Sequence, residues 1–317
     1  MKYIDLHCDT LSKLYVARRE NEALHLAGAP FQVSLEKAAL WQGFCQTLAI
    51  WTPVGISSRE AYQRFYNVLS LFKNELLRSG SQVALCRNAA EIEQCVSQKK
   101  TAVLLSVEGG RSAMGNLEIL NDFYAEGVRI FSLTWNERNA LADGAGVPDA
   151  GGLTPLGRAF VAEIERLGMI LDVSHLSDRS FWDVCEIAKK PFIATHSNAR
   201  AVCRHRRNVT DEMFDEIVKR EGLIGINLAR EFLNDTASDA NASSVVRHIE
   251  HFLQRGGAKT IAMGADFDGA HVPEELAGID RMHLIAEALL KANHPQSLVD
   301  DIFWNNTLSF LKKQLTE

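Results

Sequence analysis

The sequence predicts a (β/α)8 barrel formed by a single domain over residues 1–317. Eight short apolar runs recur along the chain, and most are followed by a loop and a stretch with helical periodicity. No Pro- or Ser-rich linker divides the 317 residues into halves. A doubly wound open sheet is the alternative fold, but no GxGxxG motif follows the first run. The barrel is therefore the favoured architecture.

The eight apolar runs are near-continuous in their hydrophobicity and rich in β-branched residues, as expected for a parallel sheet buried on both faces. We predict strands at Tyr3–Asp9, Phe44–Thr52, Thr101–Gly109, Val128–Trp135, Met169–His175, Phe192–His196, Leu223–Leu228 and Thr260–Asp266. An additional short strand is predicted at Gln82–Cys86, within the long connection between the second and third units.

The helices between these runs have recognisable N-terminal signals. Ser57 and Glu60 form a capping-box pattern ahead of the helical segment Ala61–Leu77. Pro155 occupies the first turn of a helix predicted over Leu156–Leu167. Strands and helices thus alternate from one end of the chain to the other.

Composition and charge exclude several classes of protein. The chain has 34 Lys and Arg against 40 Asp and Glu, a formal charge of -6, which argues against a nucleic-acid partner. No apolar run reaches the roughly 18 residues of a membrane span, and no signal peptide follows Met1-Lys2, so we expect a cytoplasmic protein without a membrane partner. The six scattered cysteines fit reduced thiols.

Five of the eight predicted strands end in imidazole or carboxylate side chains. In a barrel these ends meet at one mouth, where the chemistry of such folds occurs. Charged groups gathered there are costly unless they are paired or bound to a cation. The side chains are His7 and Asp9 on the first strand, Glu108 on the third, His175 on the fifth, His196 on the sixth and Asp266 on the eighth.

Three histidines and several carboxylates, without a thiolate, fit zinc or a similar metal. Five ligands exceed one tetrahedral catalytic site, so we predict two metals, with Glu108, central in strand order, as the bridge. Such a pair, about 3.5–4 Å apart, would hold a hydroxide and polarise a carbonyl or phosphoryl oxygen. Asp266 remains as a base for the proton, although Asp268 has the same phase and spacing alone cannot choose between them.

In this order and spacing, six short motifs resemble the renal (membrane) dipeptidase family of the amidohydrolase superfamily over nearly the whole chain. The first motif has His-x-Asp where most relatives in the superfamily have His-x-His. The motifs are Asp5-Leu6-His7-Cys8-Asp9, Ser106-Val107-Glu108-Gly109, Leu171-Asp172-Val173-Ser174-His175, Thr195-His196-Ser197, Arg206-Arg207-Asn208-Val209 and Gly264-Ala265-Asp266-Phe267-Asp268-Gly269.

The resemblance implies a soluble, bacterial-type zinc dipeptidase with two Zn²⁺ per chain. His7 and Asp9 would bind one zinc and His175 and His196 the other, while Glu108 would bridge them. Asp266, and not Asp268, matches the acidic catalytic residue. Arg207 matches the arginine that binds the free carboxylate of a dipeptide, a task that suits a guanidinium fork. The resemblance also implies dipeptide-like substrates with a D-residue at the C-terminal position, and a homodimer.

One position departs from the family pattern. The mammalian members have histidine near the attacked carbonyl at the end of the fourth strand, whereas this chain has Trp135. An indole donates one hydrogen bond and cannot become cationic, so polarisation of the carbonyl would rest on the metals. Trp135 is thus a candidate substrate-binding residue. The Gly- and Ala-rich segment Asn139–Gly152 that follows is predicted to be a mobile loop over the mouth.

Other functions remain as alternatives. A different pocket around Trp135 would suit hydrolysis of another amide, such as an N-acyl amino acid. A barrel phosphoesterase or nuclease is disfavoured by the net charge and by His-x-Asp, and a non-catalytic metal-binding protein by the complete ligand set. Among the remaining residues, His248 and His251 are expected on a solvated helix face, and Trp51 in the core.

Overall fold

The computed structural model describes residues 1–28 and 30–316. Nine strands lie in this part of the chain, and all of their pairings are parallel. They are β1 (Lys2–Cys8), β2 (Gly43–Trp51), β3 (Val83–Leu85), β4 (Thr101–Glu108), β5 (Val128–Ser132), β6 (Ile170–Asp172), β7 (Ile193–Ala194), β8 (Leu223–Ile226) and β9 (Ile261–Met263).

Eight of these strands close into a barrel. Their order is β2-β1-β9-β8-β7-β6-β5-β4, and β4 pairs back onto β2 to complete the ring. The short strand β3 lies outside the ring and pairs with only the first residues of β4, from Val83 beside Thr101 to Leu85 beside Val103. The predicted (β/α)8 barrel and the predicted extra strand are thus confirmed.

The α-helices pack around this barrel. Asn88, Ser57, Thr154, Ser177 and Thr210 each begin a helix as an N-cap whose side chain accepts a backbone N–H. The helices are α1 (Thr10–Arg19), α2 (Leu35–Ala38), α3 (Ser58–Ser79), α4 (Ala89–Ser97), α5 (Glu118–Ala125), α6 (Pro155–Leu167), α7 (Asp178–Ile187), α8 (Asp211–Lys219), α9 (Arg230–Leu233), α10 (Ala242–Gln254), α11 (His283–Lys291), α12 (Gln296–Asp300) and α13 (Asn306–Gln314).

Strands β6 and β7 are shorter than the sequence predicts, and the cause is a side chain. The carboxylate of Asp172 accepts the backbone N–H groups of Ser174 and Thr195, each at 3.0 Å. These backbone amides therefore bond to a side chain and not to a neighbouring strand, so the regular hydrogen bonding of the sheet ends here. His175 and His196, predicted as the last residues of these strands, consequently lie on the loops that follow them.

None of the helices in the described parts of the chain combines the length and apolarity that a membrane crossing demands. All six cysteines have free thiols, and five of them are buried.

His248 corrects one expectation, because it is fully buried and does not lie on a solvated face. Its Nδ1 accepts the backbone N–H of Ala199 at 3.1 Å, and its Nε2 lies 3.1 Å from the carbonyl oxygen of Leu233. His251, one turn away, is partly exposed and pairs with Asp211 at 2.7 Å. The helical periodicity of α10 does not determine whether His248 lies on the buried or on the exposed side of the helix. Its hydrogen bonds to Ala199 and Leu233, which lie outside the helix, show that it lies on the buried side.

This burial should make the stability of the fold depend on pH. Burial lowers the pKa of His248 from 6.5 to about 4, so the unfolded chain binds more protons between these values. The contribution of the buried, neutral His248 to the free energy of unfolding is complete above pH 6.5, and it is lost as the pH falls towards 4. We expect His248 to reduce the free energy of unfolding by about 2 kcal/mol between about pH 7 and pH 5.

Urea denaturation of the wild type and of His248→Gln at both pH values measures this contribution as a difference in pH sensitivity. His283→Gln removes an exposed histidine and should leave the pH sensitivity unchanged. Equal pH sensitivity of the wild type and His248→Gln would contradict the prediction.

Candidate metal centre

A pocket of about 730 Å³ opens at the C-terminal ends of the barrel strands. Its volume is typical of a small-molecule site. The sequence-predicted residues among its lining are Asp9, Glu108, Trp135, His175, Arg207 and Asp266. His7 and His196 lie beneath them, each 1 % exposed, and contact the same carboxylates. The structure thus brings all of the predicted site residues together.

One half of the site is centred on His7. Its Nε2 atom lies 3.4 Å from Glu108 Oε2, 3.5 Å from Asp9 Oδ2 and 3.9 Å from Asp266 Oδ1. His7 and Asp9 are brought to the same side by the two-residue period at the end of β1. Three carboxylates therefore surround one imidazole nitrogen.

The other half of the site is formed by His175 and His196. Their Nε2 atoms lie 2.8 Å apart, and they are 2.8 Å and 3.8 Å from Glu108 Oε1, respectively. Glu108, the last residue of β4, thus directs Oε2 at the His7 half and Oε1 at the His175 half. This arrangement is the one required of a carboxylate that bridges two metals.

The chemistry of these donors fits metal ions. Among the predicted ligands in the described chain, three buried atoms have no hydrogen-bond partner: His7 Nε2, Asp9 Oδ1 and Glu108 Oε2. On the other side, His175 Nδ1 lies 2.9 Å from Asn136 Oδ1, and His196 Nδ1 lies 2.7 Å from Thr195 Oγ1, so both Nδ1 atoms donate. Both Nε2 atoms then direct lone pairs towards each other, an arrangement that a bound cation would stabilise.

The pKa values differ between the two halves of the site. Burial, reinforced by the charge of Asp9, raises the pKa of Glu108 to about 7. Burial lowers the pKa of His7, but the nearby carboxylates outweigh it and raise that pKa well above its usual value. Burial and neighbouring positive groups hold the pKa values of His175 and His196 well below normal, which keeps both rings neutral, as ligands must be.

Asp172 fixes the positions of the two histidines in the second half. Its carboxylate accepts five hydrogen bonds: from Ser132 Oγ, from the N–H and Oγ of Ser174, and from the N–H and Oγ1 of Thr195. Thr195 Oγ1 in turn accepts from His196 Nδ1, and Ser174 is joined to His175 by one peptide bond. A single buried carboxylate therefore holds both rings.

Replacing Asp172 by alanine should consequently affect both stability and metal binding. Five buried donors would lose their acceptor, so the free energy of unfolding should fall by about 3 kcal/mol or more. Metal affinity should fall by about 10–100-fold, as for other residues that orient ligands. Denaturation and metal titration measure the two effects, and Asp122→Ala, at an exposed site, is the control. Unchanged metal affinity in Asp172→Ala would contradict this role.

The structure also distinguishes Asp266 from Asp268. Both residues have a left-handed backbone (φ 60° and 64°), but their side chains differ in direction. Asp266 Oδ2 accepts the Asn227 amide N–H at 2.9 Å, which leaves Oδ1 facing His7. Burial raises the pKa of Asp266. The carboxylate of Asp268, in contrast, accepts hydrogen bonds from Thr10 Oγ1 at 2.6 Å and from Lys13 Nζ at 3.0 Å. These bonds connect the loop that carries Asp268 to α1 at the edge of the pocket.

Arg207 is buried, with 5 % of its surface exposed, and is not part of an exposed basic cluster. Its guanidinium donates to the Ser174 carbonyl oxygen and lies 3.1 Å from His175 Nε2, and its Nε has no partner among the described residues. The carbon of this guanidinium lies 5.5 Å from the centre of the Phe232 ring. A buried cation with an unused donor, facing a pocket, is suited to an anionic ligand.

Trp135 lies in the pocket wall, where its ring stacks near His175 with 6.0 Å between centroids. Its other neighbour is Trp51, 5.7 Å away and edge-on. Trp51 was expected in the core, but it too lines the pocket. The apolar run of β2 gave no indication that its last residue faces the mouth.

The segment Asn139–Gly152 differs from the mobile loop predicted over the mouth. Asp143 within it bonds through its carbonyl oxygen to Ser177 N at 3.0 Å and Ser180 Oγ at 2.8 Å. Its carboxylate pairs with Arg138 and accepts Gly151 N–H at 2.5 Å. None of the segment's residues lines the pocket. It is therefore a hydrogen-bonded loop beside the site and does not lie over the mouth.

The sequence did not predict the positioning role of three residues, which are Asp172, Asn136 and Asn227. Asp172 precedes His175 by three residues and could have been noticed as a carboxylate in an apolar strand. Asn136 and Asn227 follow strands that carry no ligand, and nothing in the sequence connects either one with its partner.

A metal-dependent hydrolase is the class that this fold and this site define, because the donors converge at the catalytic end of a closed barrel. The chain belongs to the membrane dipeptidase family (peptidase family M19), whose family model matches residues 1–316. It is thus a metal-dependent dipeptidase.

The chain is also similar to individual proteins. A curated relative from Klebsiella pneumoniae, described as an uncharacterized protein in the pqqA 5' region, is 34% identical over 253 residues, covering 77% of this chain and 93% of the relative. A metallopeptidase from Rhodobacter sphaeroides, solved with a phosphinate mimic of the dipeptide L-Ala-D-Ala, is 26% identical with a TM-score of 0.92 over 99% of both chains. The solved structure of dipeptidase AC, a metallopeptidase of family M19, is 26% identical with a TM-score of 0.93 over 100% of this chain and 99% of the other.

Proposed function

We propose that this enzyme uses two zinc ions to hydrolyse dipeptides, including those with a D-residue at the C-terminal position. The observation that carries the proposal is the geometry of Glu108, whose two oxygens each face one half of the donor set. The relative that binds a mimic of L-Ala-D-Ala supports the stereochemistry.

In this proposal His7 and Asp9 hold one zinc, His175 and His196 hold the other, and Glu108 bridges them. When bound, the metals would activate water and polarise the scissile carbonyl. The nitrogen and oxygen ligands, without a thiolate, support a borderline metal such as zinc.

Arg207 would orient the substrate through its terminal carboxylate. Its Nη2 now lies against His175 Nε2, an atom that cannot accept a hydrogen bond while it binds a metal. That donor and the unpaired Nε would then be available to a carboxylate. Trp135 would form the adjoining apolar wall.

Asp266 would move the proton. Its Oδ1 faces the His7 half of the site, and the Asn227 amide fixes its other oxygen. A carboxylate in this position can accept a proton from the attacking water and deliver it to the leaving amine. Burial raises the pKa of Asp266, which makes its carboxylate a stronger base towards the attacking water.

Metal reconstitution tests this function. The full chain is stripped with a chelator, reloaded with zinc, manganese, cobalt or calcium, and assayed with L-Ala-D-Ala, L-Ala-L-Ala, the amide of L-Ala-D-Ala, and N-acetyl-D-Ala. We expect zinc to restore hydrolysis of the free dipeptides, and we expect poor hydrolysis of the amide, which lacks the carboxylate for Arg207. Preferred turnover of N-acetyl-D-Ala would favour the alternative amide hydrolase, and no turnover of any dipeptide would refute the proposal.

Arg207→Lys provides a sharper test of the orientation. Lysine keeps the charge but lacks the planar fork, so kcat/KM for free dipeptides should fall by about 100-fold. Arg206→Lys, at the exposed neighbouring position, is the matched control and should behave like the wild type. Similar losses for the free dipeptide and for its amide in Arg207→Lys would contradict carboxylate binding.

We further propose that residues 1–317 act as one hydrolase domain, because the donors come from both ends of the chain, from His7 to Asp266. The family resemblance also implies a homodimer. Analytical ultracentrifugation, which measures the mass of the protein in solution, tests this.

A further inference from the structure

A second arginine, Arg64, lines the pocket on the side away from Arg207. It extends from α3, and its Nε donates to the carbonyl oxygen of Trp51, the last residue of β2, at 3.2 Å. Its guanidinium carbon lies 4.8 Å from the centre of the Tyr15 ring and 5.8 Å from that of Trp51. Two aromatic rings and a backbone carbonyl thus hold this cation in place.

The two arginines lie on opposite sides of the barrel mouth. In the closed ring of eight strands, β2 is four strands away from β7 in either direction. Arg64 is bonded to the end of β2, whereas Arg207 is bonded to Ser174 beyond β6 and lies 3.5 Å from the carbonyl oxygen of His196 beyond β7. The metal-ligating side chains lie between them.

Arg64 has no acidic partner in the part of the chain that the structure describes. Among residues 1–28 and 30–316, no carboxylate lies within 4 Å of its guanidinium nitrogens, whereas the nearby Lys13 is paired with Asp268 at 3.0 Å. Glu20 and Glu22 also line the pocket, but both are exposed to solvent at its rim. A half-buried guanidinium with free donors is therefore presented to whatever fills this side of the pocket.

The position of a bound dipeptide follows from these distances, on the basis of the proposed function. With its terminal carboxylate at Arg207 and its scissile carbonyl above the ligands, the N-terminal residue must point towards β2. We propose that Arg64 binds a carboxylate on the side chain of that residue, so that the enzyme prefers dipeptides that begin with glutamate or aspartate. Trp51 and Trp135 flank the same path and would cover the aliphatic part of the side chain.

The experiment compares pairs of substrates that differ only in this charge. Glu-Ala is measured against Gln-Ala, and Asp-Ala against Asn-Ala, with the zinc-loaded full chain. We expect kcat/KM to favour the acidic member by about tenfold or more in the wild type, as for a charge-assisted hydrogen bond. In Arg64→Met this ratio should fall to about one, and in Arg64→Lys it should be intermediate. Because the ratio is taken within each variant, a general loss of activity cancels.

Arg59→Met, on an exposed position of the same helix, is the matched control and should keep the wild-type ratio. A wild-type ratio near one would overturn the proposal, and so would an unchanged ratio in Arg64→Met. Hydrolysis of the neutral dipeptides in the same panel tests the proposed function separately. Turnover of Gln-Ala without any preference for Glu-Ala would refute the role of Arg64 alone, whereas no turnover of any dipeptide would refute both.

Discussion

Replacement of Glu108 by glutamine should abolish both metal binding and dipeptide hydrolysis. The side chain is 3 % exposed, and each of its oxygens faces a different half of the donor set. Glutamine has nearly the same shape, but its amide nitrogen would direct two hydrogens at one of these halves, where a cation is expected. Metal catalysis contributes several kcal/mol, so kcat/KM should fall by about a thousandfold or more.

Metal analysis and kinetics on the same preparation measure the two losses together. Glu118→Gln, on the exposed first turn of α5, makes the same chemical change away from the pocket and should retain metal and activity. The fold should persist in Glu108→Gln, since removal of a buried negative charge relieves the crowding of carboxylates around His7. Wild-type metal content and rate in Glu108→Gln would exclude Glu108 as a bridging ligand.

Asp266→Asn should separate metal binding from turnover. Asparagine tolerates the left-handed backbone at this position, so the local structure should survive the change. The amide cannot take up or release the proton, and kcat should fall by about 10²–10⁴-fold while metal content stays near that of the wild type.

The pH profile provides an independent readout of the same variant. Burial raises the pKa of Asp266, and a base must be unprotonated to act, so wild-type activity should decline as the pH falls through this raised pKa. Asp266→Asn should lack that acidic limb. Asp122→Asn, on an exposed surface, should match the wild type in rate and profile. Full activity in Asp266→Asn would show that another group moves the proton.

The barrel could be predicted from the sequence because its strands are buried on both faces and therefore appear as distinct apolar runs. The site could be located for the same reason, since polar residues such as His7 and Glu108 interrupt apolar runs at one end. The geometry agrees with this ligand set, although several strands were predicted to extend too far. Two of these, β6 and β7, end where the carboxylate of Asp172 accepts the N–H groups that follow them.

The features that the sequence could not provide depend on contacts between distant segments. Asn227 reaches Asp266 across 39 positions, and Ala199 bonds to His248 across 49. Neither pairing can be predicted from the periodicity of a helix or strand. Periodicity shows which residues share one side of an element, but it does not show which distant residues contact that side. The loop around Asp143 shows a similar limit, since a Gly- and Ala-rich composition does not reveal the hydrogen bonds that place the loop beside the pocket.

The closure of the barrel has a consequence for how the enzyme matures. Strand β1 lies between β2 and β9, and Asp5 within it accepts the backbone N–H of Ala265. Strand β1 therefore gains its second neighbour only after about 260 further residues have been made. His7 and Asp9 can meet Asp266 no earlier than this step. We expect the enzyme to become active only after β9 has been translated, because Asp266 then completes the surroundings of His7.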